Sequence, residues 1–124
     1  MIDFHLEPRS GVAPYMQLVH QVQQALRLGM LTVGDQLPTV KQVVAKIAIN
    51  PNTVLKAYRE LERRGLVAPK PGRGTFVTAT LAAGDLDAHA ELKTDLHRWI
   101  TRARTAGLDD DAIEALFATT IRQT

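Results

Sequence analysis

A mostly helical α+β fold is what this sequence predicts, with one compact N-terminal domain over residues 1–80 and a two-helix segment over 81–124. Three observations lead there. Apolar residues recur every three or four positions in several separate stretches, the spacing of a single buried helical stripe. Two runs, Leu66-Val67-Ala68 and Thr75-Phe76-Val77-Thr78, read as strands joined by a Pro/Gly-rich turn. The charge also changes sign along the chain: residues 1–79 hold ten Lys/Arg and five Asp/Glu, residues 80–124 five and eight. A basic front half points to an anionic partner, the bland alternative being chance in so mild an excess.

The elements follow in order. Residues 2–7, Ile-Asp-Phe-His-Leu-Glu, alternate apolar and polar, the pattern of a short half-buried strand. A turn from Pro8 to Ala13 leads to a helix striped by Tyr15, Leu18, Val19, Val22, Ala25 and Leu26, with Gly29 near its end. Pro14 suits its first turn, where the missing N–H has no partner to lose. The link 31–38 is rich in turn formers, and Pro38 steers Leu37 out of helical backbone. Thr39 caps a short helix through about Ile47, with Val40, Val43, Val44 and Ile47 inward. Asn50 caps the next helix, over 50–64, with Pro51 at its first position and Gly65 at its end. Its buried stripe is Val54, Tyr58 and Leu61, a spacing that puts Tyr58 in the core rather than on a stacking surface. Between the two strands, Pro69-Lys70-Pro71-Gly72-Arg73-Gly74 is a tight, basic connection. Leu92, Leu96, Trp99, Ile100 and Ala103 then mark a long helix ending at Gly107, and Asp109 caps a last helix striped by Ile113, Leu116, Phe117 and Ile121.

Several function classes fall away. No apolar run approaches the roughly 18 residues that a membrane span needs. Met1-Ile2-Asp3-Phe4-His5 lacks the basic-then-apolar layout of a secretory signal, so a cytoplasmic protein is expected, with no membrane partner. Without cysteine there is no disulfide, thiolate metal site or Cys nucleophile. Of the histidines His5, His20, His89 and His97, the last two stand eight apart, too far to share a metal without a third donor. They read as solvated, and neither a metal nor a cofactor is expected. No Ser/His/Asp arrangement, paired carboxylates or Gly-rich phosphate loop is evident. Only 46 residues follow Thr78, too few for a fused catalytic or large ligand domain, so an enzyme is not expected.

Helix, short helix, tight turn, helix, hairpin is the order of a winged helix-turn-helix. In such a fold the third helix rests on the first and shows its far side to solvent. The major groove of DNA admits one helix, and its base edges offer donors and acceptors. On the side away from Val54, Tyr58 and Leu61 the helix carries Asn52, Thr53, Lys56 and Arg59, with Arg63 further along. Amide and hydroxyl groups there bond base edges or phosphates, and Lys and Arg suit guanine or phosphate. The N–H groups of Asn52 and Thr53, expected to be free at the helix start, favour a phosphate. The bland alternative is a solvated face that happens to be basic. The wing, residues 69–75, adds Lys70 and Arg73; Gly72 and Gly74 let its backbone approach a phosphodiester surface, and Arg73 at the tip suits a minor groove or a phosphate.

The stretch "GMLTVGDQLPTVKQVVAKIAINPNTVLKAYRELERRGLVAPKPGRGTFV" resembles the DNA-binding domain of the GntR family of bacterial transcription regulators. "NPNTVLKAYRELE" and "GRGTFV" are particularly close to its YtrA-like subfamily, and "ITRARTAGLDDDAIEALF" is similar to that subfamily's short two-helix C-terminal segment. The resemblance implies a homodimer on a palindromic operator, usually a repressor, often of its own operon and of ABC-transporter genes. It implies DNA contacts by Thr39 and Lys41, by Asn50, Asn52 and Thr53, and by Arg73 and Gly74. Lys41 stands where the family usually has Arg; a point charge lacks the flat two-pronged geometry, which favours a phosphate role over base reading. Leu55 occupies a position often polar or basic in relatives and is given no role.

Two amphipathic helices bury little by themselves. Leu92, Leu96, Trp99, Ile100, Leu116 and Phe117 would leave a sizeable apolar patch. Packing against the same segment of a second chain covers it, and a two-fold dimer sets two recognition helices about one DNA turn, roughly 34–36 Å, apart. The alternative is packing onto the chain's own winged domain. A winged-helix adaptor without specific DNA binding is the competing functional reading, under which Asn52, Lys56 and Arg73 would be dispensable. A small apolar effector lodged between the tail and the winged domain is compatible with a regulator, and no residue identifies it.

Overall fold

In the computed structural model, which describes residues 1–84 and 86–124, three helices and a hairpin build one unit, Met1–Gly84, and two helices build another, Asp85–Thr124. The first unit contains α1 (Pro14–Arg27), α2 (Val40–Ile47), α3 (Pro51–Arg63), β1 (Val67–Lys70) and β2 (Gly74–Val77). Its core is where the apolar stripes meet. Leu18, Val22 and Leu26 of α1 lie against Val54 and Leu61 of α3, and Val43, Leu37, Val67 and Val77 complete the cluster. Each such side chain removed from water contributes about 1.5–3 kcal/mol, so burial fixes how α3 lies on α1. The other face of α3 is thereby left outward.

The turn between α2 and α3 is short because Ala48 takes left-handed backbone, φ 52°, a conformation uncommon for a residue with a Cβ. Buried Ile49 then pins the turn to the core.

The expected strand over residues 2–7 is not a strand. Its alternation is kept, with Phe4 buried and Ile2 and Leu6 half-buried, but its backbone pairs with side chains. His5 N–H donates to Gln21 Oε1 (3.1 Å) while Gln21 Nε2 donates to the His5 carbonyl (2.7 Å). One turn earlier on α1, Gln17 does the same for Glu7, at 2.8 and 3.1 Å. Two carboxamides four residues apart on a helix thus supply the donors and acceptors that a neighbouring strand would.

β1 and β2 are antiparallel, Val67 opposite Val77 and Lys70 opposite Gly74, so the strands lie slightly later and earlier than the apolar runs mark. The link before α2 runs along the other edge of β2. Gly34 N–H donates to the Val77 carbonyl (2.9 Å), Val77 N–H to the Asp35 carbonyl (2.8 Å) and Leu37 N–H to the Thr75 carbonyl (2.9 Å). The Asp35 carboxylate also closes the turn by accepting from Thr32 N–H at 2.9 Å.

In the second unit α4 (Leu86–Thr105) and α5 (Asp110–Gln123) are joined by a turn in which Gly107 has φ 96°. Asp109 caps α5, accepting from Ala112 N–H at 2.8 Å, and Arg104 pairs with Asp110 at 3.0 Å. Ala103 and Ile113 are buried between the two helices. Among the described residues no helix is long and apolar enough to cross a membrane.

Candidate nucleic-acid interface

α3 starts at a well-made cap. Asn50 Oδ1 accepts from Asn52 N–H at 2.8 Å, and the Asn50 carbonyl accepts from Thr53 N–H at 3.0 Å. The two N–H groups expected to be free are therefore engaged by Asn50 itself, and any phosphate at this end must be met by side chains. α2 begins with a reciprocal cap: Thr39 Oγ1 accepts from Gln42 N–H (3.1 Å), and Thr39 N–H donates to Gln42 Oε1 (2.9 Å). Lys41 beside it is exposed.

Along α3 beyond Pro51 the exposed residues are Asn52, Leu55, Lys56, Arg59, Glu62 and Arg63, opposite buried Val54, Ala57, Tyr58 and Leu61; Thr53 is half-buried at the edge. The Tyr58 hydroxyl donates to the Pro38 carbonyl inside the core, and burial raises its pKa above the ordinary tyrosine value. Lys56 Nζ rests 4.1 Å from the centre of the Tyr15 ring on α1. Such a cation–π contact holds the ammonium at a fixed edge of the face. Arg59 has no ion pair among the described residues.

Arg63 differs from what its place on the stripe implies. Its guanidinium makes a two-pronged contact with Glu60, whose carboxylate also accepts from Arg64 Nε at 3.0 Å. The hydrogen bonds from Arg63 and Arg64 hold the Glu60 carboxyl down at about 2, and Glu60 holds Arg63 above its usual value. At the far end of α3 one acid therefore engages two cations, a pattern visible in the i, i+3 and i, i+4 spacing of Glu60, Arg63 and Arg64.

In the wing, Lys70 Nζ lies 4.6 Å over the Phe76 ring, and Arg73 is exposed at the turn, its N–H donating to the Lys70 carbonyl at 2.9 Å. Gly74 is half-buried, and its lack of a side chain has a local reason. The Gln36 side chain from the link covers it, with Nε2 donating to the Arg73 carbonyl at 2.9 Å. Sequence reasoning missed Gln36. A glutamine in a turn-rich link has no periodicity to mark it, and its partner lies 37 residues away.

In the second unit Leu92 is 62% exposed, Leu96 40%, and Leu116 and Phe117 45% each, with Trp99 and Ile100 half-buried. No group of three His, Cys, Asp or Glu side chains able to hold a metal occurs among the described residues.

Three helices with a polar, cationic outer face on the third, followed by a basic two-stranded wing, define a winged helix-turn-helix of the DNA-binding class. The model of the bacterial regulatory proteins of the gntR family matches residues 14–77. The HTH-type transcriptional repressor YtrA of Bacillus subtilis (strain 168) is 36% identical over 108 residues, covering 84% of this chain and 81% of that one. This chain belongs to the GntR family. Among solved structures, a transcriptional antiterminator from Listeria monocytogenes EGD-e superposes with a TM-score of 0.61 at 28% identity, covering 96% of this chain and 90% of that one. A transcriptional regulator from Oenococcus oeni superposes with a TM-score of 0.52 at 30% identity, covering 95% and 99%. The chain is thus a YtrA-like DNA-binding transcription regulator and not an enzyme.

Proposed function

We propose that the chain is a cytoplasmic, homodimeric repressor that binds a palindromic operator, with residues 1–80 as its DNA-binding domain and 81–124 as its dimerisation segment. The carrying observation is the exposed stripe Asn52, Lys56 and Arg59 on the side of α3 opposite the core. α3 enters the major groove, where Asn52 and Arg59 reach base edges and Thr53 and Lys56 meet the backbone. Thr39, Lys41 and Asn50 contact phosphates beside it; Arg73, with Lys70 and Gly74, follows the backbone next to the groove. Arg63 contributes only where a phosphate draws it from Glu60. Dimerisation through the face of Leu92, Leu96, Trp99, Ile100, Leu116 and Phe117 places two such helices on one side of the duplex. YtrA is named a repressor, which supports repression here; the chain's own operon and transporter genes are the proposed targets. A small-molecule effector would act by changing the spacing of the two half-site readers.

The test is footprinting on the DNA upstream of the chain's own gene, followed by affinity measurements on the protected duplex. A symmetric footprint is expected. A dimer neutralising roughly eight phosphates should lose on the order of ten-thousandfold in affinity between about 50 and 200 mM salt. No footprint on any genomic fragment would leave the adaptor reading in its place.

A further inference from the structure

Gln36 ties together two surfaces that are distant in sequence. Its Nε2 donates to the Arg73 carbonyl at 2.9 Å, while its backbone forms a bridge with Phe76 of β2. On either side of it, the Asp35 carbonyl and the Leu37 N–H are bonded to β2, so the backbone that launches the side chain is fixed. The carboxamide lies over Gly74, which has φ 121°; a Cβ there would stand 2.6 Å from Gln36 Nε2. With its N–H on Lys70 and its carbonyl on Gln36, Arg73 has both backbone polar groups held while its side chain stays exposed. Three residues after Gln36 comes Thr39, the cap of α2. One short segment therefore starts α2 and anchors the wing tip.

We propose that Gln36 is a positioning residue for DNA binding: its carboxamide holds the wing tip in register with the start of α2, so that Arg73 meets the duplex at a fixed place. A two-stranded ribbon is marginal by itself, and a loose tip would have to be ordered at the moment of binding. Gly74 is the other half of the device, the position whose missing side chain makes room for the amide. The proposal rests on the reading of Arg73 as a DNA contact.

The experiment uses the full chain and a duplex enriched by the wild-type protein from a randomised pool, with affinity read by fluorescence anisotropy. Gln36→Met keeps the length of the side chain over Gly74 and removes the donor. Its affinity is expected to fall about tenfold, the scale of one lost preorganised contact, and that loss is expected to vanish in an Arg73→Ala background. Gly74→Ala, which displaces the amide from the other side and also strains the backbone at φ 121°, should lose at least as much. If Arg73→Ala weakens binding while Gln36→Met binds like the wild type, the role of Gln36 is overturned and the wing reading stands. That role is overturned equally if Gln36→Met costs the same with and without the Arg73 side chain. If Arg73→Ala binds undiminished, the wing reading falls, and the role of Gln36 with it.

Discussion

Asn50 and Asn52 sit two residues apart and have different work. Asn50 Oδ1 is engaged by Asn52 N–H, whereas the Asn52 side chain is exposed on the outward stripe. An N-cap asparagine replaced by alanine costs about 1 kcal/mol, and by glycine only a few tenths. Asn50→Ala is therefore expected to lower the urea midpoint clearly and Asn50→Gly hardly at all. Asn52→Ala should leave the midpoint in place and instead relax the preferred sequence at one position of each half-site, read by selection from randomised duplexes. Equal stability losses for Asn50→Ala and Asn50→Gly would deny the cap. The split between the two residues is only half legible in the sequence. Residue types and spacing mark Asn50 as a cap and Asn52 as outward, but that the cap consumes the Asn52 N–H depends on a side-chain rotamer.

At the scale of elements, the C-terminal end of α3 has a pH dependence with a definite sign. Glu60 titrates at about 2 in the folded chain because Arg63 and Arg64 bond its carboxylate; unfolded, it returns to roughly 4.3. A folded-state pKa that is lowered gives stability present in full above the unfolded value and lost as pH falls from there toward 2. Glu60→Gln should flatten the acid limb of the stability curve over that window, measured by urea melts at a series of pH values. It also releases Arg63, so the slope of log affinity against log salt should steepen by up to about one unit per protomer if the guanidinium then takes a phosphate. An unchanged acid limb would mean that the three side chains do not associate in solution. Elements whose partners lie within one helical turn, such as this cluster and the caps, can be read from spacing alone. Residues 2–7 cannot. Their alternation specifies that Phe4 faces inward, but whether a strand or the carboxamides of Gln17 and Gln21 meet the backbone is decided by contacts across the fold. The edge that Gly34–Leu37 adds to β2 is hidden from the sequence for the same reason.

For the whole molecule, the proposed dimer makes the number of half-sites engaged in one binding event the decisive quantity. Among the described residues, the core of the first unit and the side chains packed against it run from Ile2 to Leu81, so altering the second unit should leave the winged fold intact. Leu96→Asp combined with Phe117→Asp puts two charges on a face whose side chains are 40% and 45% exposed in the single chain. If that face joins two protomers, the variant sediments as a monomer at concentrations where the wild type is a dimer. Its operator affinity then falls steeply, because the second half-site is no longer held at the roughly millimolar effective concentration that a linked partner supplies. Weak binding alone would not separate a lost dimer from a damaged reader. The salt slope does, since it counts neutralised phosphates: a monomer on one half-site should show about half the wild-type slope, with its sequence preference within that half-site unchanged. A variant that remains dimeric, with the full slope, would place the interface on another surface; a monomer that keeps the full slope would mean that a single chain already makes every phosphate contact, leaving no work for a second protomer.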